Sequence, residues 1–281
     1  MKRIFLITHQ TKENTVELSR AIISAFARVG MEVVTEDWLF SRLDKRLNGL
    51  AEDRSAPFEA VVAVGGDGTL LRANQFALLN DVPLLGVNNG RLGFLTELEP
   101  EQIEAACARL LADDYEIDTR MMLSIAREDS APYTALNDAV ISRGGYARLI
   151  AVKAFVDGDL VGRYIADGLI VSTPTGSTGY SLSAGGPIVC PEVDCLIISP
   201  ICAHSLQHRP VIAAPSKEIV IELDCQPAQE ALLSVDGTMI GTLRQKERVT
   251  VTCAEQRARF IRLYPRAFFS LIRNKLSEWS C

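Results

Sequence analysis

The stretch VVAVGGDGTLL, residues 61–71, decides the fold. An apolar, β-branched run ends in three glycines wrapped around one aspartate, Asp67, and a helical pattern, LLRANQFALLN (70–80), follows directly. A buried strand that runs into a glycine-rich turn and then a helix leaves backbone N–H groups at a helix N-terminus, an arrangement suited to phosphate oxygens. Gly65, Gly66, Gly68 and Thr69 are the candidate phosphate-binding residues. The turn is not the dinucleotide fingerprint, because Leu71 stands where a third glycine would be counted from Gly66. It is not a P-loop either, since no Gly-Lys-Ser/Thr follows. An acid in such a turn suits activation of a hydroxyl or the holding of a divalent cation; the plainer alternative is a tight turn capped locally by Asp67.

Outward from this stretch the chain alternates. RIFLI (3–7), EVVTE (32–36), EAVVAVG (59–65) and VPLLGVN (82–88) read as strands. Between them, Asn14 to Val29 carries Leu18, Ile22, Phe26 and Val29 on one helical face, and a further helix follows Pro100. This predicts an α/β N-terminal domain, three-layered around a mostly parallel sheet. From Glu116 to Leu263 the segments become short, β-branched and separated by turn residues, which predicts a β-rich C-terminal domain. The chain closes with AFFSLIRNKLSEW, where Phe268, Ile272, Leu276 and Trp279 share one face of an amphipathic helix expected to return to the first domain. The expected division is 1–115 with 264–281, and 116–263.

At 281 residues and 48% hydrophobic composition the chain is long enough for two domains with real cores. A net charge of -6 without any Lys/Arg run argues against a nucleic-acid or anionic-membrane surface. The opening MKRIFLITHQ has too short an apolar run for a signal peptide or a membrane span, so a cytoplasmic protein is expected. Seven cysteines without an export signal fit reduced, buried thiols better than a disulfide framework.

A second glycine-rich stretch, DGLIVSTPTGSTGYSLSAGGP (167–187), sets seven hydroxyl side chains beside one aromatic, Tyr180, and is nearly free of charge. It suits a loop folded over a polyhydroxylated, aromatic ligand, with Tyr180 stacking on a base; the alternative is a serine-rich connection with Tyr180 in the core. Cys190, Cys195, His204 and His208 nominally match a zinc spacing, but a strand through Cys195 would carry the cysteines apart, and no metal ligand is predicted. Neither GSTGY nor GYSLS is a nucleophile elbow. Asn137, Asp138 and Asp236, in LNDAV (136–140) and SVDGT (234–238), fall at or near strand ends, where they serve as turn residues or, for the carboxylates, as acceptors of ribose hydroxyls or metal ligands.

Taken together, GGDGT (65–69), GVNNGRLGFLTE (86–97), LNDAV, the 167–189 stretch, ISPICAHSLQHRPVI (198–212) and VDG (235–237) resemble the NAD kinase family in order and spacing over about residues 60–240. The long Gly/Ser/Thr stretch is the most specific part; GGDGT alone is shared with diacylglycerol- and sphingosine-type lipid kinases. The resemblance implies the two-domain architecture, transfer of a phosphoryl group to the adenosine-ribose 2′-hydroxyl of NAD, and a homodimer or homotetramer. It implies Asp67 facing that hydroxyl, Asn137 and Asp138 on ligand hydroxyls and adenine, and Asp167, Thr178, Tyr180 and Ser183 lining the dinucleotide site. Three positions depart from the family pattern: Asp138 stands for glutamate, Gly179 for alanine and Thr238 for glutamine.

Phosphoryl transfer asks mainly for positioning and charge neutralisation. The expectation is therefore that Asp67 polarises the hydroxyl, the 65–68 turn cradles donor phosphates, and Mg²⁺ accompanies ATP or polyphosphate. Two rivals are a lipid kinase, which would need an apolar pocket and a membrane-facing surface, and an NAD-sensing module without turnover.

Overall fold

The alternation read from residues 3–88 is present in the structure, a computed structural model that describes residues 1–11, 14–51, 53, 55–89, 93–128, 130–144, 149–205, 207–225, 229–265 and 268–278. Its first elements are β1 (Arg3–Thr8), α1 (Thr15–Arg28), β2 (Glu32–Thr35), α2 (Asp37–Phe40), β3 (Ala60–Gly65), α3 (Asp67–Leu79), β4 (Leu84–Asn88), α4 (Ile103–Leu111) and β5 (Glu116–Arg120). Every residue of β3 and β4 is buried, as expected of central strands covered on both faces. Helix α1 buries Ile22, Ile23 and Phe26, with Leu18 and Val29 packed at the margin of the same core. Helix α3 begins at Asp67 rather than at Leu70, because Gly66 O accepts the N–H groups of Thr69 (2.9 Å) and Leu70 (3.3 Å) and closes a first turn over the glycines.

The strand order of this sheet is β2-β1-β3-β4, then the strand Ala258–Arg262, then β5. The pairings β1–β2, β1–β3, β3–β4 and Phe260–Leu84 are parallel. The strand Ala258–Arg262 is held at its end by Glu97, which receives Arg262 Nη1 (3.0 Å) and the N–H groups of Leu263 and Tyr264 (3.1 Å each).

The intervening chain contains β6 (Leu123–Arg127), β7 (Tyr133–Ala135), β8 (Asp138–Arg143), β9 (Ile150–Val156), β10 (Asp159–Ala166), β11 (Gly168–Ser172), the one-turn helix α5 (Tyr180–Ser183), β12 (Leu196–Ile201), β13 (Val211–Ala213), β14 (Ile219–Leu223), β15 (Ala231–Val235), β16 (Thr238–Leu243) and β17 (Arg248–Cys253). It forms two six-stranded sheets, β10-β9-β14-β17-β6-β7 and β13-β12-β11-β8-β15-β16. Their pairings are antiparallel. Alternating side chains such as Ile219, Ile221 and Leu223 from one sheet and Ala231, Leu233 and Val235 from the other share a single core. Strands β11 and β12 are buried on both faces; Ile170 and Ile201 face away from that core and pack with Val140 under Ala184.

The chain then returns with β18 (Ala258–Arg262) and α6 (Phe268–Glu278). The two compact units are Met1–Thr119 with Ala258–Cys281, and Arg120–Arg257. Against the expected division after 115 and before 264, strands β5 and β18 belong to the first sheet. Both lie inside the span expected to be β-rich, and their pairing assigns them. Trp279, expected on the apolar face of the last helix, lies outside the described residues, as do Gly90, Arg91 and Leu92 of the 86–97 stretch. The six described cysteines are free. Among the described residues no helix is long and apolar enough to cross a membrane.

Candidate functional site

In the first unit the strand order reverses its direction of growth between β1 and β3, and in open α/β sheets ligands lie outside the carboxyl ends of the strands at that point. A cleft of about 490 Å³ is found there, lined by His9, Gln10 and Thr11 after β1 and by Gly66, Gly68, Thr69 and Arg72 after β3. The glycines divide into two kinds. A β-carbon on Gly66 or Gly68 would meet nothing within 4 Å, so those two backbones are open to the cleft. One on Gly65 would lie 2.3 Å from Thr69 Oγ1, so Gly65 makes room for the buried Thr69 side chain rather than for a ligand. The N–H groups of Asp67 and Gly68 precede the first helical donors that bond back to Gly66 and have no helical acceptor.

Asp67 does not cap its own helix through its side chain. Its carboxylate receives the backbone N–H groups of Phe94 (3.2 Å) and Leu95 (3.2 Å), which fix its orientation from across the loop that follows β4. Arg72, one turn further along α3, donates to Thr8 O (2.8 Å) and pairs with Glu36. Glu36 in turn accepts Trp38 Nε1 (3.1 Å) and Thr8 N (3.3 Å), so the guanidinium is pinned at the wall of the cleft. The sequence reading missed Arg72, His9 and Thr11. The available signal was a basic residue one turn after a glycine-rich helix start.

In the second unit, Asn137 and Asp138 stand at the start of β8. The Asp236 carboxylate accepts the N–H groups of Leu136 (2.8 Å), Asn137 (2.7 Å) and Asp138 (3.2 Å), and Asp236 N donates to Asp138 O (3.0 Å). On the carbonyl side Thr173 Oγ1 donates to Leu136 O (2.6 Å) and Thr173 N to Asn137 O (2.9 Å). Gly176 lies so close that a β-carbon would be 2.1 Å from Asn137 O. The backbone of 136–138 is thus held from both sides, while Asn137 Oδ1 is buried with no partner and the Asp138 side chain is buried beside it in sequence. Burial, and secondarily the Asp236 charge, raise the Asp138 pKa from 3.8 to about 7. Burial also raises that of Asp236, against the pull of its three N–H donors.

The hydroxyl-rich stretch splits by direction. Ser177 exchanges hydrogen bonds with Val189 (3.0 and 3.3 Å), and Ser181 bonds Ser199 (3.0 Å), so these serve the fold. Thr178 is half-buried, bonding Thr175 O (3.1 Å), and Ser183 is exposed. Tyr180 is 47% exposed, which removes the core alternative for its ring. Asp167 stands apart: it pairs with Arg143 (2.8 Å) at the start of β11, whereas Ser172 at the other end pairs with Asp138. At about 3.3 Å per residue that separates Asp167 from Asp138 by roughly 15 Å within one chain. Of the nominal zinc set, Cys195 is buried with Val189 and Ile197, and the His208 ring lies against Tyr164, centroids 4.6 Å apart.

Comparison with known proteins gives one answer. The profile of the ATP-NAD kinase N-terminal domain matches residues 4–115 and that of the ATP-NAD kinase C-terminal domain matches residues 136–263. The NAD kinase of Moorella thermoacetica is 40% identical over 281 residues, 99% of this chain and 90% of its own. That of Lachnoclostridium phytofermentans is 36% identical over 288 residues, 99% and 100% of the two chains. Among solved structures, yeast NADH kinase complexed with NADH superposes with a TM-score of 0.85 at 25% identity, covering 97% of this chain and 86% of that one. An Archaeoglobus fulgidus NAD kinase in complex with ATP gives 0.75 at 26% identity, covering 98% of each.

Proposed function

Because the chain belongs to the NAD kinase family, we propose that its phosphoryl transfer from ATP to the 2′-hydroxyl of NAD is carried by Asp67, with the donor held at the amino end of α3. The chain is an NAD kinase, an enzyme; the lipid-kinase and sensing readings have no support in these relatives. The observation that carries the site assignment is the pairing of two open glycine backbones with one oriented carboxylate in a single turn. Gly66 and Gly68 let donor phosphates approach the helix N-terminus, and Thr69 and Arg72 line the same cleft. The Arg72 guanidinium adds a fixed positive charge where charge develops during transfer.

Asp67, aimed by the Phe94 and Leu95 N–H groups, accepts the proton of the attacking hydroxyl. Asn137 and Asp138 take donors of the NAD adenosine, which satisfies the unpartnered Asn137 Oδ1. Tyr180 offers an accessible ring for a base, with Thr178 and Ser183 beside it in sequence. Asp167, at the far end of β11, belongs to the NAD site only on the resemblance. Among the described residues no three His, Cys, Asp or Glu side chains gather as a metal cage. Magnesium is assigned to the substrate, entering with the donor phosphates, as suits an ion that keeps its waters and takes few protein carboxylates. A homodimer or homotetramer in the cytoplasm completes the reading on the family resemblance, and light scattering at several concentrations tests the assembly.

The deciding experiment incubates the protein with NAD, ATP and Mg²⁺ and detects NADP with an NADP-specific dehydrogenase. NADP formation that vanishes in Asp67→Asn supports reaction and residue together. Undiminished turnover in that variant removes Asp67 from the chemistry.

A further inference from the structure

The turn between β15 and β16 does more than join two strands. Asp236 and Gly237, at φ +47° and +77°, form a two-residue hairpin turn between Val235 and Thr238. Such a turn asks of its first residue only a tolerance of left-handed backbone, which asparagine meets as well as aspartate. The register of β15 on β8 is already set by the ladder pairing Val235 with Ala139. Neither requirement calls for a carboxylate, yet the carboxylate present collects three consecutive N–H groups from the segment before β8.

Within this segment lie Asn137, whose Oδ1 is buried without a partner, and the buried Asp138 carboxyl. With Thr173 and Gly176 closing the carbonyl side, the backbone of Leu136–Asp138 has no freedom to turn Asn137 or Asp138 towards other protein groups. A buried, unpaired amide oxygen calls for an explanation, and a rigid backbone that prevents it from finding a partner is one that a ligand resolves. We propose that Asp236 is a positioning residue for the NAD site, its carboxylate fixing the backbone of Leu136, Asn137 and Asp138 so that the Asn137 amide and Asp138 carboxyl are presented to NAD. The proposal rests on the reading that Asn137 and Asp138 contact NAD, and its test separates the two.

NAD binding is measured by calorimetry, and the KM for MgATP and kcat by steady-state kinetics, on Asp236→Asn, Asn137→Ala and the unaltered protein. Asp236→Asn replaces a double acceptor by a group with one acceptor and one opposed donor. It should raise the NAD dissociation constant by about ten- to a hundredfold, as expected for loss of hydrogen bonds to a buried charge. The KM for MgATP should stay within about twofold, since that substrate does not meet this segment. If Asn137→Ala weakens NAD binding and Asp236→Asn does not, the positioning role is overturned and the site reading stands. If Asn137→Ala also leaves binding unchanged, both fall. Should Asp236→Asn not fold, Gly237→Ala displaces the turn while leaving the carboxylate, because a β-carbon there meets nothing within 4 Å and the strain is in the backbone alone. Gly237→Ala should weaken NAD several-fold, and Gly237→Asn, which tolerates left-handed backbone, should restore it. Loss of thermal stability in Gly237→Ala without a change in NAD affinity overturns the proposal.

Discussion

A β-carbon built on Gly93 would stand 2.2 Å from Asp67 Oδ1. The loop that supplies the Phe94 and Leu95 N–H groups can reach the Asp67 carboxylate only because residue 93 has no side chain. Gly93→Ala must therefore push loop and carboxylate apart. A displacement of about 1 Å at a reacting group can cost on the order of a hundredfold, so kcat should fall by about that much while the NAD dissociation constant moves little. A Gly93→Ala enzyme with normal kcat would mean that the orientation of Asp67 is not what limits turnover.

Gly66 and Gly68 offer the converse test, because a β-carbon on either meets no protein atom. Gly68→Ala, in the first turn of α3, should leave the melting temperature unchanged or raise it slightly, alanine being up to about 1 kcal/mol better in a helix. The added methyl occupies the donor's approach, and the KM for MgATP should rise about tenfold or more. Equal KM values for variant and parent would detach the turn from donor binding.

How much of this was legible in the sequence follows from the range of the interactions. The 61–80 stretch declares strand, turn and helix through local chemistry, and the structure moves only the helix start, to Asp67. The hydroxyl-rich loop was recognisable as a loop, but which hydroxyls face inward depends on Val189 and Ser199, which lie in other segments. Arg72 becomes a cleft residue only through Glu36 and Thr8, and Asp236 a clamp only through residues about a hundred positions earlier. No local pattern encodes such partners. Strands β5 and β18 fall inside the 116–263 span expected to be β-rich and pair in the sheet of the first unit, since composition does not say with whom a strand pairs.

Asp138 makes stability depend on pH. Its pKa is raised on folding from 3.8 to about 7, so between those values the folded chain keeps a proton that the unfolded chain has lost. The associated stability is complete below about pH 4 and falls as the pH rises through about 7, by an amount on the order of a few kcal/mol. Asp138→Asn carries no such proton. Without NAD, its melting temperature should gain on the parent's from pH 4.5 to pH 8, while its NAD affinity falls. A melting difference that stays constant across that range would place the Asp138 titration elsewhere.

Tyr180, being nearly half exposed, should tolerate truncation. Tyr180→Ala is expected to leave thermal stability within about 1 kcal/mol and to weaken NAD by roughly 1 to 3 kcal/mol, the size of a base-stacking contact. Unchanged NAD affinity would assign its ring to some other partner.

The sheet of the first unit contains β18 between β4 and β5, although β18 is read from the message after all of the second unit. A chain emerging from the ribosome therefore completes Arg120–Arg257 before it possesses the strand that joins β5 to its own sheet. Until Ala258–Arg262 appears, β4 and β5 wait with unpaired edges, a state that invites association with other nascent chains. The order of synthesis makes the second unit the first that can finish folding, and the strand Ala258–Arg262 the one that closes the sheet of the first unit.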